Sequence, residues 1–480
     1  MGTSRLKSHH PLVLFFLCLV ALRCCIMVLR VALPFDLPHL WRQIDTLGVC
    51  IRYWLRWQSE ALTWQSLLPA VLNSGTSSGI TPMEFPLLGL SLAPFFSFGP
   101  FWGVKLASLA LYLSNTVLTF HAAYLWRRRL VQGVPMELVC LGYIILSVSA
   151  SYFLKFMPDY LSFILCFLAL SGALLKGWTV RALLLASIGL LLKPTTVVVF
   201  AFAMVVPDFW QRICKHLLWM LLATGIALLY YTKGLGFIRT YQDGVELFKV
   251  TLASPPLNFL EFVSQPREIS KLLGEKLLFI PGIFAIVVAL PFLSRTRRKN
   301  LLITLGLIIL QVGTIALLDG GHSFIHEYYF IGCAPLLGLM VFQLYFGFRE
   351  HQYPVVRKCA WLLVLLGLVG LGKNLEFDLR TLFPRFHQRY LDPMDCDKVK
   401  LLTPQLPWGK NFVFRSHGFP YPEAGICFFE REGDAGSRYG IFSAQHPLPA
   451  DCSLIIAQVG NALVAACSGE EEQLQEQKEK

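Results

Sequence analysis

The sequence predicts an all-α polytopic membrane protein that carries a small outer-face α/β or mainly β domain toward its C-terminal end. Of the 480 residues, 55% are hydrophobic and only 15% charged, whereas a soluble chain carries about 25% charged residues. Apolar runs of spanning length recur as far as residue 372, without the ten-residue alternation of a membrane barrel. Beyond about 385 the chain turns polar and rich in Pro, Gly and aromatics, with short alternating runs such as Asn411-Phe-Val-Phe and Ser453-Leu-Ile-Ile. An ordinary soluble enzyme, a disordered chain and a coiled coil are excluded together.

A helix crosses the hydrocarbon with roughly 20 apolar residues, which gives about eleven spans. They fall at 11–34, 100–126, 136–154, 159–175, 180–192, 194–210, 216–232, 276–293, 300–318, 328–348 and 359–372. Lys and Arg are retained in cytoplasmic connections, and they recur at every second one. The sets are Arg5 and Lys7; Arg127, Arg128 and Arg129; Lys176 and Arg181; Arg212 and Lys215; Arg295, Arg297, Arg298 and Lys299; and Arg349, Arg357 and Lys358. This alternation puts the N-terminus in the cytoplasm and 35–99, 155–158, 233–275, 319–327 and everything after about 373 outside. The net charge of +12 is therefore mostly topology, and nucleic acid is not needed to explain it.

Residues 1–22 resemble a secretory signal, but no small-x-small cleavage site follows and the apolar pattern resumes past Arg23. Arg23 and Arg30 share one face of the first span; the first either pairs with a neighbouring helix or marks a functional site, and the second can snorkel outward. The expected organisation is a transmembrane domain over 1–372, an outer domain over 373–468 and a disordered acidic tail over 469–480. Cys396, Cys427, Cys452 and Cys467 lie in the outer domain, where four cysteines allow two disulfides in three connectivities.

The outer loop 35–99 is far longer than a simple connection. Trp41-Arg42-Gln43-Ile44-Asp45-Thr46 leads into Leu47, Ile51, Trp54 and Leu55, an apolar stripe at helical spacing, with Arg52 and Arg56 four apart. This predicts an amphipathic helix lying in the membrane interface with snorkelling arginines, and with Asp45 and Thr46 at its start. Asp45 then reads either as a helix N-cap or as a functional carboxylate. Glu84, in Thr81-Pro-Met-Glu-Phe-Pro, stands where the chain re-enters an apolar stretch. With Asp45 it forms a pair of outer carboxylates able to bind a metal or accept a proton.

Lys193 interrupts a long apolar run in Leu191-Leu-Lys-Pro-Thr, and Pro194 breaks the helix there. It reads either as a buried cation for a phosphate or as a loop Lys snorkelling outward. In Asp319-Gly-Gly-His-Ser-Phe-Ile-His-Glu-Tyr-Tyr, His322 and His326 have metal-ligand spacing, but the Gly pair argues against one helix carrying both. His326, Tyr328 and Tyr329 read as a polar cluster facing a cavity. Lys155 and Asp159 are also outer, and can pair with each other.

In order and sidedness these pieces resemble membrane glycosyltransferases of the GT-C superfamily, in particular the bacterial branch of aminoarabinose transferases and protein O-mannosyltransferases. The matching residues are Trp41 to Thr46, Glu84-Phe-Pro-Leu, Pro158-Asp159, Lys193-Pro-Thr and His326-Glu-Tyr-Tyr, across roughly residues 10–345. A paired Asp-Glu in the first loop, as O-mannosyltransferases carry, is missing. The resemblance implies a GT-C-like multi-pass protein of the bacterial inner membrane, embedded among membrane lipids. It would transfer a sugar from a polyprenyl-phosphate donor to a lipid, glycan or protein acceptor outside, with inversion. Asp45 would be the base, Arg42 and Lys193 the donor-phosphate ligands, and Glu84 a ligand of the acceptor or of a divalent metal, with His326. Asp159, His326, Tyr328 and Tyr329 would line the pocket. A transporter or flippase for lipid-linked sugars is the competing expectation, although the internal repeats common in transporters are not evident.

Overall fold

In a computed structural model, the described residues are 40–59, 63–70, 80–98, 100–130, 155–242, 255–271, 290–320, 327–349, 351–359, 415–417, 439–443, 452–459 and 462–467. Arg23, Arg30, His322, His326, the acidic tail and the expected spans 11–34 and 136–154 lie outside them, as does nearly all of 276–293 and 359–372.

Helix α1 runs over Leu40–Ser59, and the short helix α2 over Leu87–Leu92. The long helix α3 covers Pro100–Leu130. Helix α4, Pro158–Lys176, has its limits written in the sequence. Pro158 and Asp159 open it after an extended Met157, Lys176 falls in its last turn, and Gly177 at φ 87° ends it. Two residues on, the Thr179 hydroxyl accepts from the Ala182 amide at 3.2 Å and starts α5, Val180–Leu192. The pair therefore forms a tight helical hairpin. Lys193 adopts extended backbone, and the chain continues as a 3-10 helix over Pro194–Val205.

Helix α6, Ile213–Leu229, passes through a π-helical turn at Tyr230–Gly234 into α7, Leu235–Arg239. Helix α8 covers Pro255–Val263, α9 Arg295–Asp319, and α10 Ala334–Arg349 follows a 3-10 segment over Glu327–Cys333. Among the described residues, four helical stretches are long and apolar enough to cross a membrane: Pro158–Lys176, Ile213–Arg239, Arg295–Leu318 and Tyr328–Arg349. Expected spans 180–192 and 194–210 appear as the thirteen-residue α5 and the twelve-residue 3-10 helix, each below that length.

Helix α4 is central, packed by α3, α5 and the 3-10 helix after Lys193, and its apolar residues are buried nearly all round. Helix α6 instead leaves Leu217, Leu218, Leu221, Leu222, Leu228 and Leu229 exposed, an apolar face suited to lipid rather than water. Beyond 373 the described residues are four strands: β1 Arg415–His417, β2 Tyr439–Ser443, β3 Cys452–Val459 and β4 Ala462–Cys467. They form one sheet in the order β1-β2-β4-β3, with β1 parallel to β2 and the other pairs antiparallel.

Two expectations for the first loop need correcting. Asp45 is five residues past Leu40 within α1, so it does not cap that helix. Arg52 and Arg56 are buried rather than snorkelling. The Arg56 guanidinium donates to the Leu68 carbonyl at 3.1 Å, and the Tyr53 hydroxyl to the Leu67 carbonyl at 3.0 Å. The loop following α1 folds back over it and supplies acceptors, so the arginine-bearing face turns inward.

Candidate active site

Four separated segments deliver charged groups to one place. Helix α1 brings Arg42, the loop before α2 brings Glu84, the first turn of α4 brings Asp159, and the break after α5 brings Lys193. The Arg42 guanidinium and the Lys193 ammonium both donate to the Glu84 carboxylate, one to each oxygen. Lys193 Nζ also lies 3.8 Å from Asp159 Oδ1. Arg42 is 3% exposed, Asp159 2% and Lys193 5%, which rejects the snorkelling alternative for Lys193. Asp159 pairs with Lys193 rather than with Lys155, the partner the sequence allowed. Tyr329 and Tyr328 close one side, their ring centroids 4.5 Å and 5.5 Å from Lys193 Nζ; such cation–π contacts are strongest when desolvated.

Each contributor is fixed by local structure. The Gln43 side chain accepts from the Phe156 amide at 3.2 Å and so ties α1 to the turn before α4. The Ile80–Ala70 bridge and the bond from the Thr81 amide to the Pro69 carbonyl, 3.0 Å, anchor the loop that carries Glu84. At the helix break, the Lys193 amide reaches the Gly189 carbonyl at 3.0 Å, and the Thr196 hydroxyl reaches the Lys193 carbonyl at 2.6 Å. Ser162 on α4 donates to the Gly189 carbonyl at 2.6 Å and bonds the Thr196 hydroxyl at 2.9 Å. Polar side chains thus take the place of the helical ladder interrupted at Pro194. The Gln311 amide, from α9, donates to the Val198 carbonyl at 2.6 Å and the Gly332 carbonyl at 3.3 Å, joining the Lys193 segment to the tyrosine segment.

The electrostatics are those of a desolvated ion cluster. Burial alone raises the Glu84 carboxyl, and the Arg42 and Lys193 charges overcome it, holding the group below its ordinary 4.5. Glu84 is thus a poor proton acceptor and a firm anchor for two cations. Among the described residues, neither Asp159 oxygen accepts a hydrogen bond, so a buried carboxylate retains acceptor capacity for a hydroxyl or a water. With both Glu84 oxygens engaged by cations, its environment does not fit a divalent ion. No group of three or more metal-ligating side chains occurs among the described residues. His326, the other expected ligand, lies outside them.

The sequence-predicted residues Arg42, Glu84, Asp159, Lys193, Tyr328 and Tyr329 therefore converge. Asp45 lies three residues after Arg42 on α1, a spacing that shares a helix face; its side chain is outside what the structure describes. Ser162 and Thr196 escaped the sequence reading, as short polar residues inside apolar helices usually do, and Gln43 was read only as part of the Trp41 to Thr46 motif, with no role of its own.

No protein-family model and no curated protein sequence matches the chain. Among solved structures, it is similar to ArnT from Cupriavidus metallidurans in the apo state, with TM-score 0.54 and 11% identity over 96% of this chain and 98% of that one. It is likewise similar to the same protein bound to undecaprenyl phosphate, with TM-score 0.53, 11% identity and the same coverage. At this identity the likeness is one of fold, shared along nearly the whole length of both chains.

Proposed function

We propose that this protein is a membrane glycosyltransferase that moves a sugar from a polyprenyl-phosphate carrier to an acceptor at the outer face of a bacterial inner membrane. The observation that carries the reading is the buried Arg42–Glu84–Lys193–Asp159 cluster beneath Tyr328 and Tyr329. Two buried cations held by one carboxylate are suited to a phosphate, which can share or displace that carboxylate. The fold is shared with a protein solved with undecaprenyl phosphate bound, which supports a carrier of that kind.

The proposed reaction is a single displacement. Asp45 takes the proton from the acceptor hydroxyl or amine as the acceptor atom forms its bond to the anomeric carbon. The bond from that carbon to the phosphate oxygen breaks on the opposite side, and its electron pair leaves with polyprenyl phosphate. Negative charge grows on the phosphate as this happens, so Arg42 and Lys193 bind the transition state better than the donor. A phosphate needs no second carboxylic acid to leave, unlike a sugar oxygen in a glycosidase. Asp159 accepts from a sugar or acceptor hydroxyl, and Tyr328 and Tyr329 wall the pocket. No step runs through a metal.

The test is transfer in proteoliposomes containing a polyprenyl-phosphate sugar and cell-envelope acceptors. Asp45→Asn is expected to lower turnover by about 10²–10⁴-fold, the range of general-base catalysis, with expression and melting temperature unchanged. Unchanged turnover would eliminate Asp45 as the base.

A further inference from the structure

The π-helical turn at Tyr230–Gly234 lies outside the charged cluster, yet it touches both loops that build it. The Tyr231 hydroxyl donates to the Leu191 carbonyl at 2.7 Å, and the Tyr230 hydroxyl to the Met83 carbonyl at 3.1 Å. Leu191 is two residues before Lys193, and Met83 is one before Glu84. The Phe85 amide donates to the same Leu191 carbonyl at 3.3 Å, and the Phe85 ring meets Tyr230 edge-on at 5.1 Å.

The Leu191 carbonyl is one of the last four of α5, which have no partner within their own helix. Tyr231 and Phe85 together occupy it. On a regular helix neighbouring residues diverge by about 100°, given 3.6 residues per turn. The wider π turn brings two consecutive tyrosines to the protein side, with rings 5.3 Å apart and nearly perpendicular. Tyr231 is buried and Tyr230 half-buried. A helix that elsewhere exposes leucines thus spends its one irregular turn on two hydroxyls directed at the Glu84 and Lys193 loops. Single π turns of this kind are commonly kept for function.

We propose that Tyr230 and Tyr231 are positioning residues that set the separation of Glu84 and Lys193, and through it the presentation of the Lys193 ammonium to the donor phosphate. This rests on the reading of the cluster as a polyprenyl-phosphate site. Neither tyrosine enters the chemistry; they act through the backbone on either side of the ion pair.

The experiment measures binding of polyprenyl phosphate to the full-length protein in detergent for wild type, Tyr231→Phe, Lys193→Met and the double variant, with polyprenol as the uncharged control. Tyr231→Phe keeps the ring and is expected to weaken binding roughly fivefold, about the worth of one net hydrogen bond. On the Lys193→Met background it is expected to cost nothing further, because a residue acting through Lys193 has nothing left to act on. Wild-type affinity in Tyr231→Phe, or its full loss repeated on the Lys193→Met background, would overturn the proposal. Where Tyr231→Phe does not fold, Tyr230→Phe gives the same comparison through Met83; loss of fold in both would make the bonds purely structural and overturn it too. If the wild type binds polyprenol as well as polyprenyl phosphate, the reading of the site itself fails, a result distinct from either of these.

Discussion

Glu84 is the hinge of the charged cluster, because one carboxylate binds two buried cations from different segments. A group held below its ordinary 4.5 in the folded protein contributes stability that is fully present above that value and lost as pH falls below it. Thermal unfolding in detergent is therefore expected to carry no Glu84-linked change from neutral pH down to about that value and to weaken on further acidification. Glu84→Gln is expected to remove that part of the acid limb and to destabilise the protein at neutral pH by about 3–5 kcal/mol, the cost of stranding buried charges. An acid limb unchanged in Glu84→Gln would show that the carboxylate does not anchor the cations. Lys193 was legible as an anomaly in an apolar run, and Glu84 as an acid at membrane depth. Their direct pairing was not, since 109 residues separate them and only the packing of α4 against α5 and the first loop brings them together.

At the level of elements, the break after α5 was the most legible feature, since a proline removes an amide and clashes with the preceding turn. Less legible was how closely α5 must approach α4. A Cβ on Gly189 would stand 2.5 Å from Cys166 Sγ and 2.9 Å from the Ser162 carbonyl. Gly189→Ala is accordingly expected to part the two helices and cost about 1–3 kcal/mol. It should also weaken polyprenyl-phosphate binding, because the same Ser162 bonds support the Lys193 turn. A melting curve and a binding isotherm on one preparation check both effects.

The expectation that Arg52 and Arg56 snorkel outward failed for a related reason. Sequence periodicity reports an amphipathic face, but not that the following loop returns to cover the arginines with carbonyl acceptors. The tyrosine turn was invisible for the same cause, its partners being backbone carbonyls 40 and 147 residues away. In the sheet, β3 and β4 set Cys452 directly opposite Cys467. Opposed antiparallel Cα atoms are about 4.5–5.5 Å apart, within disulfide range. Of the pairings open to the sequence, Cys452–Cys467 is therefore expected. Non-reducing peptide mapping of protein from intact cells reads it directly, and fully reduced thiols would contradict it.

Over the whole molecule, composition and charge alternation carried the multi-pass class, and α6 with its exposed leucines shows what a lipid-facing helix of this chain looks like. From the alternation the cluster and the sheet are expected on the outer side; reporters fused after residues 130 and 380 are expected to report opposite faces, and a cytoplasmic signal from both would contradict an outward site. What composition could not convey is the tertiary arrangement of so apolar a chain, in which Arg42, Asp159 and Lys193, drawn from three separated segments, are gathered with Glu84. The central claim is that this gathered charge serves sugar transfer from a lipid phosphate. It is tested most directly by following a polyprenyl-phosphate sugar, by mass spectrometry, in proteoliposomes bearing wild type or Lys193→Met with cell-envelope acceptors. Wild type is expected to convert the donor to polyprenyl phosphate and a glycosylated product, with conversion at least 10²-fold slower in Lys193→Met. Donor that stays intact, or crosses the bilayer unchanged, would contradict the account.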